Sequence, residues 1–387
     1  MQTPETRPAP SDHALFIAVT LLYWLALYIY VPVLSPYLEM KGASYGFIGV
    51  VVGSYGFMQI VCRLPMGIHS DRMGRRKPYI LLGMLTGTLS CLLFALFEPL
   101  GWTLVARATA GISASCWVAF TVMYAGFYPK EQATRAMSTI SLLTAAGQLI
   151  GMAASGWLVE LYGWRSVFWV GVAVGSIGSL LAVFLKEPKA PDRQPLRYED
   201  IGQVLRNARL WMVSSLSILA HSVLFITMFG FTPSYAVYLG AEGFELTALS
   251  FAFMLPHAAA SFLSGRALAP RFGELPLLLA GFLISGLCTL TIPWTRSLDM
   301  LMLTQAVNGF AQGLHFPLLL GMSIQTIDQN KRATAMGVYQ AIYAVGMFAG
   351  PFVAGWVNGA LGLAGVFYIA AAVALFSCAA AWLWRRR

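Results

Sequence analysis

Residues 14–37 read ALFIAVTLLYWLALYIYVPVLSPY, a run of 24 residues without a charged side chain. A helix needs about 20 apolar residues to cross the hydrocarbon core of a bilayer. A second run, GLAGVFYIAAAVALFSCAAAWLW at residues 362–384, is equally continuous. The strands of a membrane β-barrel alternate apolar and polar residues, and these runs do not. Both stretches therefore predict membrane-spanning helices.

The composition of the whole 387-residue chain agrees with this, because 58% of the residues are hydrophobic and only 11% are charged. Soluble domains have about 45–50% apolar and about 25% charged residues. Disordered chains and disulfide scaffolds are also excluded by this composition. The sequence predicts an all-α integral membrane protein with twelve transmembrane helices. They are expected near residues 14–37, 45–67, 79–97, 101–126, 135–159, 165–185, 210–238, 245–268, 275–293, 298–324, 333–358 and 363–384.

The basic residues are distributed unevenly between the two sides of the predicted membrane. With both termini on one side, 20 of the 25 lysines and arginines fall there, and only Lys41, Arg165 and Arg296 fall on the other side. An excess of Lys and Arg marks cytoplasmic loops. We therefore predict cytoplasmic termini and no nucleic-acid partner. The short extracytoplasmic loops and the lack of an Asn-x-Ser/Thr acceptor suit a bacterial inner membrane.

A segment in the first half of the chain returns in the second half. AMSTISLLTAAGQLIGMAASGW at residues 136–157 matches AMGVYQAIYAVGMFAGPFVAGW at residues 335–356 with a constant offset of 199. Such a repeat predicts two pseudo-symmetric six-helix halves, residues 14–185 and 210–384. The other segments are a cytoplasmic tail at 1–13, a cytoplasmic linker at 186–209 and a basic end at 385–387. The linker is either a flexible tether or, in its second part, a helix on the membrane surface.

The loop after the second predicted helix reads GIHSDRMGRRK at residues 67–77. An aspartate at a helix end can accept hydrogen bonds from arginines, and a glycine permits the tight turn. This loop resembles the signature of the major facilitator superfamily, Gly-x-x-x-Asp-Arg-x-Gly-Arg-Arg/Lys. The resemblance implies that the loop is a latch that stabilises one conformation; a basic loop that only sets topology is the alternative. The matching residues are Gly67, Asp71, Arg72, Gly74, Arg75 and Arg76.

Two arginines fall inside predicted helices. Arg107, with Gly111 four residues later, resembles a motif in the fourth helix of the same family. An arginine inside the bilayer costs at least about 2.5–3.5 kcal/mol and therefore requires a partner or an aqueous cavity. Proton-coupled family members place this arginine near the proton path, and a structural hydrogen bond is the other interpretation. Arg63 either binds an anionic substrate or braces Asp71.

The fifth and eleventh predicted helices are rich in small residues, which let helices approach closely. In the fifth helix, the stretch from Gly151 to Gly156 resembles the Gly-Pro-x-x-Gly-Gly motif of drug–proton antiporters in the family. It lacks the proline and one glycine, which weakens the antiporter assignment. The predicted helix-packing residues are Gly147, Gly151, Gly156, Gly346, Gly350, Pro351 and Gly355.

A polar stripe lies on the tenth predicted helix, because spacings of 3, 4 and 3 place Gln305, Asn308, Gln312 and His315 on one face. Polar groups inside a membrane must meet water or other polar groups. The stripe therefore either lines a central cavity or bonds neighbouring helices. The candidate substrate and proton pathway comprises Arg63, Arg107, His221, His257, Gln305, Asn308, Gln312, His315, Tyr28 and Tyr339.

None of the sixteen Asp and Glu residues falls well inside a predicted helix. Histidine changes its charge near pH 6.5, whereas arginine stays charged. We therefore expect proton coupling to use His221, His257 or His315, with Asp71 and Glu39 as the reserve candidates.

The sequence carries no phosphate-binding loop, zinc-site spacing or nucleophile elbow, so we expect no enzyme activity, cofactor or metal. The resemblance implies a monomeric secondary transporter that exports a small organic molecule (a drug, a metabolite or a metallophore) by proton antiport. An importer or facilitator of a small organic solute is the first alternative. A non-transporting membrane sensor on the same fold is the second. The expected partners are the substrate, the proton and membrane lipid.

Overall fold

The computed structural model describes residues 10–128, 133–187, 198–325, 327 and 332–384, and within these ranges the chain forms helices and no strand. Side chains at 71, 72, 133–138, 198–201, 324 and 332–334 lie outside the description. The helices are α1 (Pro10–Tyr28), α2 (Val31–Met40), α3 (Tyr45–Met73), α4 (Lys77–Leu96), α5 (Leu100–Ser115), α6 (Trp117–Ala125), α7 (Ala133–Tyr162), α8 (Ser166–Val183), α9 (Tyr198–Leu205), α10 (Ala208–Ile226), α11 (Thr232–Tyr238), α12 (Gly243–Leu263), α13 (Ala269–Phe272), α14 (Glu274–Thr291), α15 (Leu298–Ile324) and α16 (Arg332–Trp384).

Ten helical runs in the described ranges are long and apolar enough to cross a bilayer. This confirms the prediction of an all-helical, multi-pass membrane protein. The run Ala335–Trp384 is 50 residues long, although about 20 residues cross the hydrocarbon core. Gly362 interrupts it with a φ of 71° and a ψ of −179°, at the boundary that the sequence predicts between two helices. The number of crossings stays a prediction.

Two of the long runs contain a π-helical turn that ends two residues before a proline. Thr227–Phe231 lies between α10 and α11 and precedes Pro233. Ser264–Leu268 lies between α12 and α13 and precedes Pro270. In each case the N–H group after the turn bonds to the carbonyl five residues back. Since proline has no N–H and clashes with the carbonyl four residues back, a wider turn keeps the adjacent backbone groups bonded.

Glycines bring two pairs of helices close together at one end of the bundle. On α3, a Cβ at Gly49 would overlap the carbonyl oxygen of Pro351 on α16. On α7, a Cβ at Gly156 would overlap the carbonyl oxygen of Gly243 on α12. The other predicted packing glycines also lie against neighbouring helices. Gly147 and Gly151 pack on α1, Gly346 and Gly350 pack on α10, and Gly355 packs on α3.

The seam between α3 and α16 separates toward the other end of the bundle. Gly56 packs against the backbone of Phe348. Gly67 lies 11 residues after Gly56 and therefore on the same face of α3. Gly337 lies 11 residues before Phe348 and therefore on the same face of α16. A Cβ at Gly67 or at Gly337 would meet no atom of the described side chains or backbone within 4 Å. The same two helix faces therefore touch at one end and diverge at the other.

Candidate functional site

Arg107 on α5 is enclosed by aromatic side chains. Only 2% of it is exposed, and its Nη1 donates a hydrogen bond of 3.2 Å to the hydroxyl of Tyr30. Its Cζ lies 4.3 Å from the centre of the Tyr55 ring, which presents its face to the cation. The Nε of Arg107 is buried and has no hydrogen-bond partner. Tyr30 can reach this arginine because it lies at the break between α1 and α2.

Arg63 on α3 extends across the seam to α16 and is 3% exposed. Its Nη1 donates to the hydroxyl of Tyr343 at 3.1 Å and to the carbonyl of Gln340 at 3.4 Å. Its Nη2 donates to the carbonyl of Ala114 on α5 at 3.1 Å, and its Nε has no partner. All three partners are neutral. The side chain of Asp71 lies outside the described residues, so the proposed brace between Arg63 and Asp71 stays a prediction.

Tyr343 connects Arg63 to the first of the candidate histidines. Its ring stacks on His221 with 4.1 Å between the centroids and 6° between the planes. His221 Nδ1 lies 2.8 Å from the carbonyl oxygen of Ser217, and a carbonyl only accepts, so Nδ1 donates. The hydroxyls of Ser217 and Tyr339 are 2.7 Å apart. A continuous chain of contacts thus runs from Arg63 through Tyr343 and His221 to Tyr339.

The polar stripe on α15 faces α14 and the π-helical turn before α11. Ser285 on α14 donates to Asn308 Oδ1 at 2.9 Å, and Gln312 Nε2 donates to the same oxygen at 3.0 Å. Gln312 Nε2 also lies 3.5 Å from Thr227 Oγ1. Several buried polar atoms of the stripe have no partner. They are both amide atoms of Gln305, Asn308 Nδ2, Gln312 Oε1 and His315 Nε2.

The other two candidate histidines are buried among helices of the second half of the chain. His315 stacks on Phe282 of α14 at 4.1 Å. His257 on α12 stacks on Phe253 at 5.5 Å, and its Nδ1 has no partner. Both His221 and His257 lie within electrostatic range of His315. Within the described ranges, no three His, Cys, Asp or Glu side chains are placed to hold a metal ion.

Aromatic rings from the two halves of the chain meet beside the arginines. Tyr28 contacts Phe229 at 5.6 Å between centroids, and Tyr55 stacks on Phe225 at 6.0 Å. Trp24 lies next to Tyr28 at 5.5 Å, and its Nε1 is buried without a partner. Tyr55 lies within electrostatic range of both Arg63 and Arg107. We call the set Arg63, Arg107, Tyr30, Tyr55 and Tyr343 the arginine–tyrosine site.

The loop with the family signature is held by a residue that the sequence analysis did not single out. The backbone N–H groups of Arg76 and Lys77 point at the two carboxylate oxygens of Glu187, which follows α8. The guanidinium of Arg76 donates to Ser70 Oγ, and Gly74 forms the turn with a φ of 63°. Asp71 and Arg72 have no described side chain, so their part in a latch stays a prediction.

Tyr30, Tyr55 and Glu187 were missed for different reasons. Tyr55 lies eight residues before Arg63 and so shares its helix face, a spacing that could have indicated it. Tyr30 depends on the break between α1 and α2, which the continuous apolar run conceals. Glu187 stands in a Lys-Glu-Pro sequence directly after a predicted helix, and nothing in that sequence indicates which helix N-terminus it would reach.

The known proteins that this chain resembles in sequence are named as transporters or as drug-resistance proteins. An "Uncharacterized transporter" of Buchnera aphidicola subsp. Schizaphis graminum is 33% identical over 45% of this chain and 44% of its own length. The chain thus spans less than half of that relative. "Inner membrane transport protein YajR" of Escherichia coli K12 is 24% identical over 91% of this chain and 78% of its own. "Multidrug resistance protein MdtG" of Salmonella choleraesuis is 24% identical over 82% of this chain and 80% of its own.

The fold has close counterparts among solved structures. A bacterial homologue of the human lysosomal transporter Spinster, in an inward-facing and occupied conformation, superposes with a TM-score of 0.81. The two chains are 18% identical, and the superposition covers 98% of each. The family model of the Major Facilitator Superfamily matches residues 16–266 and 233–387 of this chain. The chain therefore belongs to the Major Facilitator Superfamily of membrane transporters and is not an enzyme.

Proposed function

We propose that the chain is a secondary active transporter with twelve crossings in two six-helix halves, residues 14–185 and 210–384, joined by the linker 186–209. The observation that carries this proposal is the shape of the seam between α3 and α16, which touches at Gly49–Gly56 and diverges at Gly67 and Gly337. Between these levels lie the buried Arg63, which contacts Gln340 and Tyr343, and His221, which stacks on Tyr343. Helices that touch on one side of a buried polar layer and diverge on the other fit a transporter that opens to one side at a time.

The diverging end is the cytoplasmic one in this proposal. It carries Gly67 and the basic residues Arg75, Arg76 and Lys77, and an excess of such residues marks the cytoplasmic side. The structure then corresponds to an inward-facing state with both termini in the cytoplasm. YajR is named an inner membrane transport protein, which supports the inner membrane as the location. The latch role of residues 67–76 would act at this same end.

Export by proton antiport is the direction and coupling that we propose. MdtG is named a multidrug resistance protein, which supports a drug as cargo; the proposal of a monomeric exporter also includes a metabolite or a metallophore. A proton on His221 would place a second positive charge one ring away from Arg63, because Tyr343 contacts both. Substrate charge and protonation would therefore influence each other through this contact. His257 and His315 are the other proton-carrier candidates.

Reconstitution of the full chain in proteoliposomes tests this function. We would load vesicles with ethidium or with 1-naphthoate, a fluorescent cation and a fluorescent anion, and impose a pH gradient. We expect uphill movement of at least one probe, which a protonophore abolishes and which His221→Gln weakens. Arg165→Gln, on the surface beside Glu98, is the matched control. If folded wild-type protein moves neither probe, the sensor alternative is correct instead.

A further inference from the structure

The two buried arginines carry charges that the described protein does not neutralise. Neither guanidinium contacts a carboxylate oxygen within the described residues. The ion pairs found there, Arg165 with Glu98 and Lys186 with Asp12, lie near helix ends. An uncompensated cation inside a membrane protein is costly. A stable arrangement of two such cations therefore calls for an anion, and none of the described carboxylates of this chain supplies it.

The hydrogen bonds left open on the two arginines and on Trp24 are all donors, whereas Gln340, whose carbonyl Arg63 contacts, has a buried side-chain oxygen without a described partner. Arg63 Nε, Arg107 Nε and Trp24 Nε1 are buried and have no partner among the residues that the structure describes. Arginine and the indole N–H donate hydrogen bonds and accept none. The ligand that completes these groups must therefore supply acceptor oxygens. Water could fill an acceptor position, but it would leave both positive charges uncompensated.

The surroundings of these donors indicate the rest of the ligand. Tyr55 lies between Arg107, 4.3 Å from its ring centre, and Phe225, 6.0 Å away on the other half of the chain. Tyr28 and Phe229 extend the same apolar, aromatic lining. Binding sites of this kind favour a flat apolar body with a small number of polar groups. Carboxylate, sulfonate and phosphate oxygens match planar guanidinium groups.

We propose that Arg63 and Arg107 bind the anionic group of an aromatic organic anion, and that the tyrosines and phenylalanines around them hold its ring. The anion is the substrate of the transport cycle, and in this respect the inference rests on the function proposed above. Arg63 spans α3, α5 and α16. An anion that draws Arg63 away from Tyr343 and Gln340 therefore loosens the seam between α3 and α16, so binding and conformational change are linked.

The test is direct binding to the purified full chain in lipid nanodiscs, measured by titration calorimetry. The probes share one ring system and differ in charge: 1-naphthoate, 1-naphthalenemethanol and 1-naphthylmethylammonium. We expect wild type to bind the anion at least about tenfold more tightly than the alcohol or the cation, as is typical of charge-assisted hydrogen bonds. Arg63→Gln and Arg107→Gln should each weaken naphthoate binding by about tenfold or more. Arg165→Gln should leave it unchanged.

Equal binding of the three probes by wild type would overturn the proposal. So would a preference for naphthoate that survives both glutamine variants. If a glutamine variant does not fold, Arg63→Lys and Arg107→Lys retain the charge but lose the planar fork, and we expect intermediate affinity from them. If 1-naphthoate binds in a way that depends on the two arginines but is not transported in proteoliposomes, the transport function is refuted and the anion site is not. If ethidium is transported but the three naphthalene probes bind equally well, the anion site is refuted and the transport function is not.

Discussion

The contact between Gly156 and Gly243 should control how often the extracytoplasmic end opens. A Cβ at position 156 would overlap the Gly243 carbonyl oxygen and would lie 2.5 Å from Thr247 Oγ1. Overpacking a close contact of this kind costs about 1–3 kcal/mol. Gly156→Ala burdens only the state in which α7 and α12 touch. Since about 1.4 kcal/mol is a tenfold change in an equilibrium constant, the open fraction should rise about 5- to 150-fold.

Labelling of one introduced cysteine measures this fraction. Ser234 on α11 lies at the closed end and is 1% exposed, so Ser234→Cys reacts with a membrane-impermeant maleimide only when that end opens. The experiment requires a background in which the natural cysteines are replaced by alanine. They are Cys62, Cys91, Cys116, Cys288 and Cys378.

Gly337→Ala provides the matched control. A Cβ there meets no atom within 4 Å, yet the substitution gives the same gain in helix propensity of about 1 kcal/mol as Gly156→Ala. We expect Gly337→Ala to label at the wild-type rate. If Gly156→Ala labels no faster than Gly337→Ala while both are folded, the contact between α7 and α12 does not open during the cycle, and the reasoning from this glycine contact fails.

Three further outcomes follow from other parts of the molecule. Asp71→Asn should insert normally but slow turnover, because the charge-assisted contacts expected of the latch weaken; unchanged turnover at equal expression would speak against a latch. Asn308→Leu should lower the unfolding temperature, because it leaves Ser285 unpaired at a cost of about 1–3 kcal/mol. Gln305→Leu should raise the unfolding temperature, because it removes two buried atoms that have no described partner. Equal effects of the two would contradict this account. Glu187→Gln should destabilise the N-terminus of α4 by about 0.3–1 kcal/mol, and an unchanged denaturation midpoint would contradict that contact.

Hydropathy and periodicity predicted the helices because each depends on neighbouring residues only. The break at Gly362 and the glycine-rich faces of α7 and α16 follow from local residue size in the same way. Spacing also placed Gln305, Asn308, Gln312 and His315 on one side of α15. It could not indicate that this side meets Ser285 and Phe282 of α14, because periodicity defines a face and not its neighbour.

Local sequence patterns could not predict the partners of Arg63 and Arg107. Arg63 meets Tyr343 across 280 positions of sequence, and Arg107 meets Tyr30 across 77 positions. Both contacts depend on how the helices cross and on the break between α1 and α2. The sequence could show only that these arginines need partners. It left open whether Arg63 faces the latch or a ligand.

The charge of the proposed substrate determines how much of the driving force for export comes from the membrane potential and how much from the pH gradient. A membrane potential contributes about 2.3 kcal/mol per elementary charge per 100 mV. An inside-negative potential of 100 mV would therefore support an outward gradient of about 50-fold for a monovalent anion on a facilitator. Exchange of that anion for one incoming proton moves two charges, which squares the gradient to about 2,500-fold. With an anionic substrate, export alone does not demonstrate proton coupling.

The dependence of the steady-state substrate gradient on the pH gradient, measured at zero membrane potential, distinguishes proton antiport from a facilitator. Antiport of one proton predicts that the steady-state gradient of 1-naphthoate rises about tenfold for each unit of imposed pH difference, whereas a facilitator predicts no dependence. We expect the tenfold slope in wild-type proteoliposomes clamped with valinomycin and equal potassium. His221→Gln should abolish the slope and keep flow down the gradient, because Arg63 and Tyr343 remain in contact without the ring that would carry the proton. A slope that persists in this variant and in His257→Gln and His315→Gln would assign the proton to Glu39 or Asp71, and no slope in wild type would make the protein a facilitator.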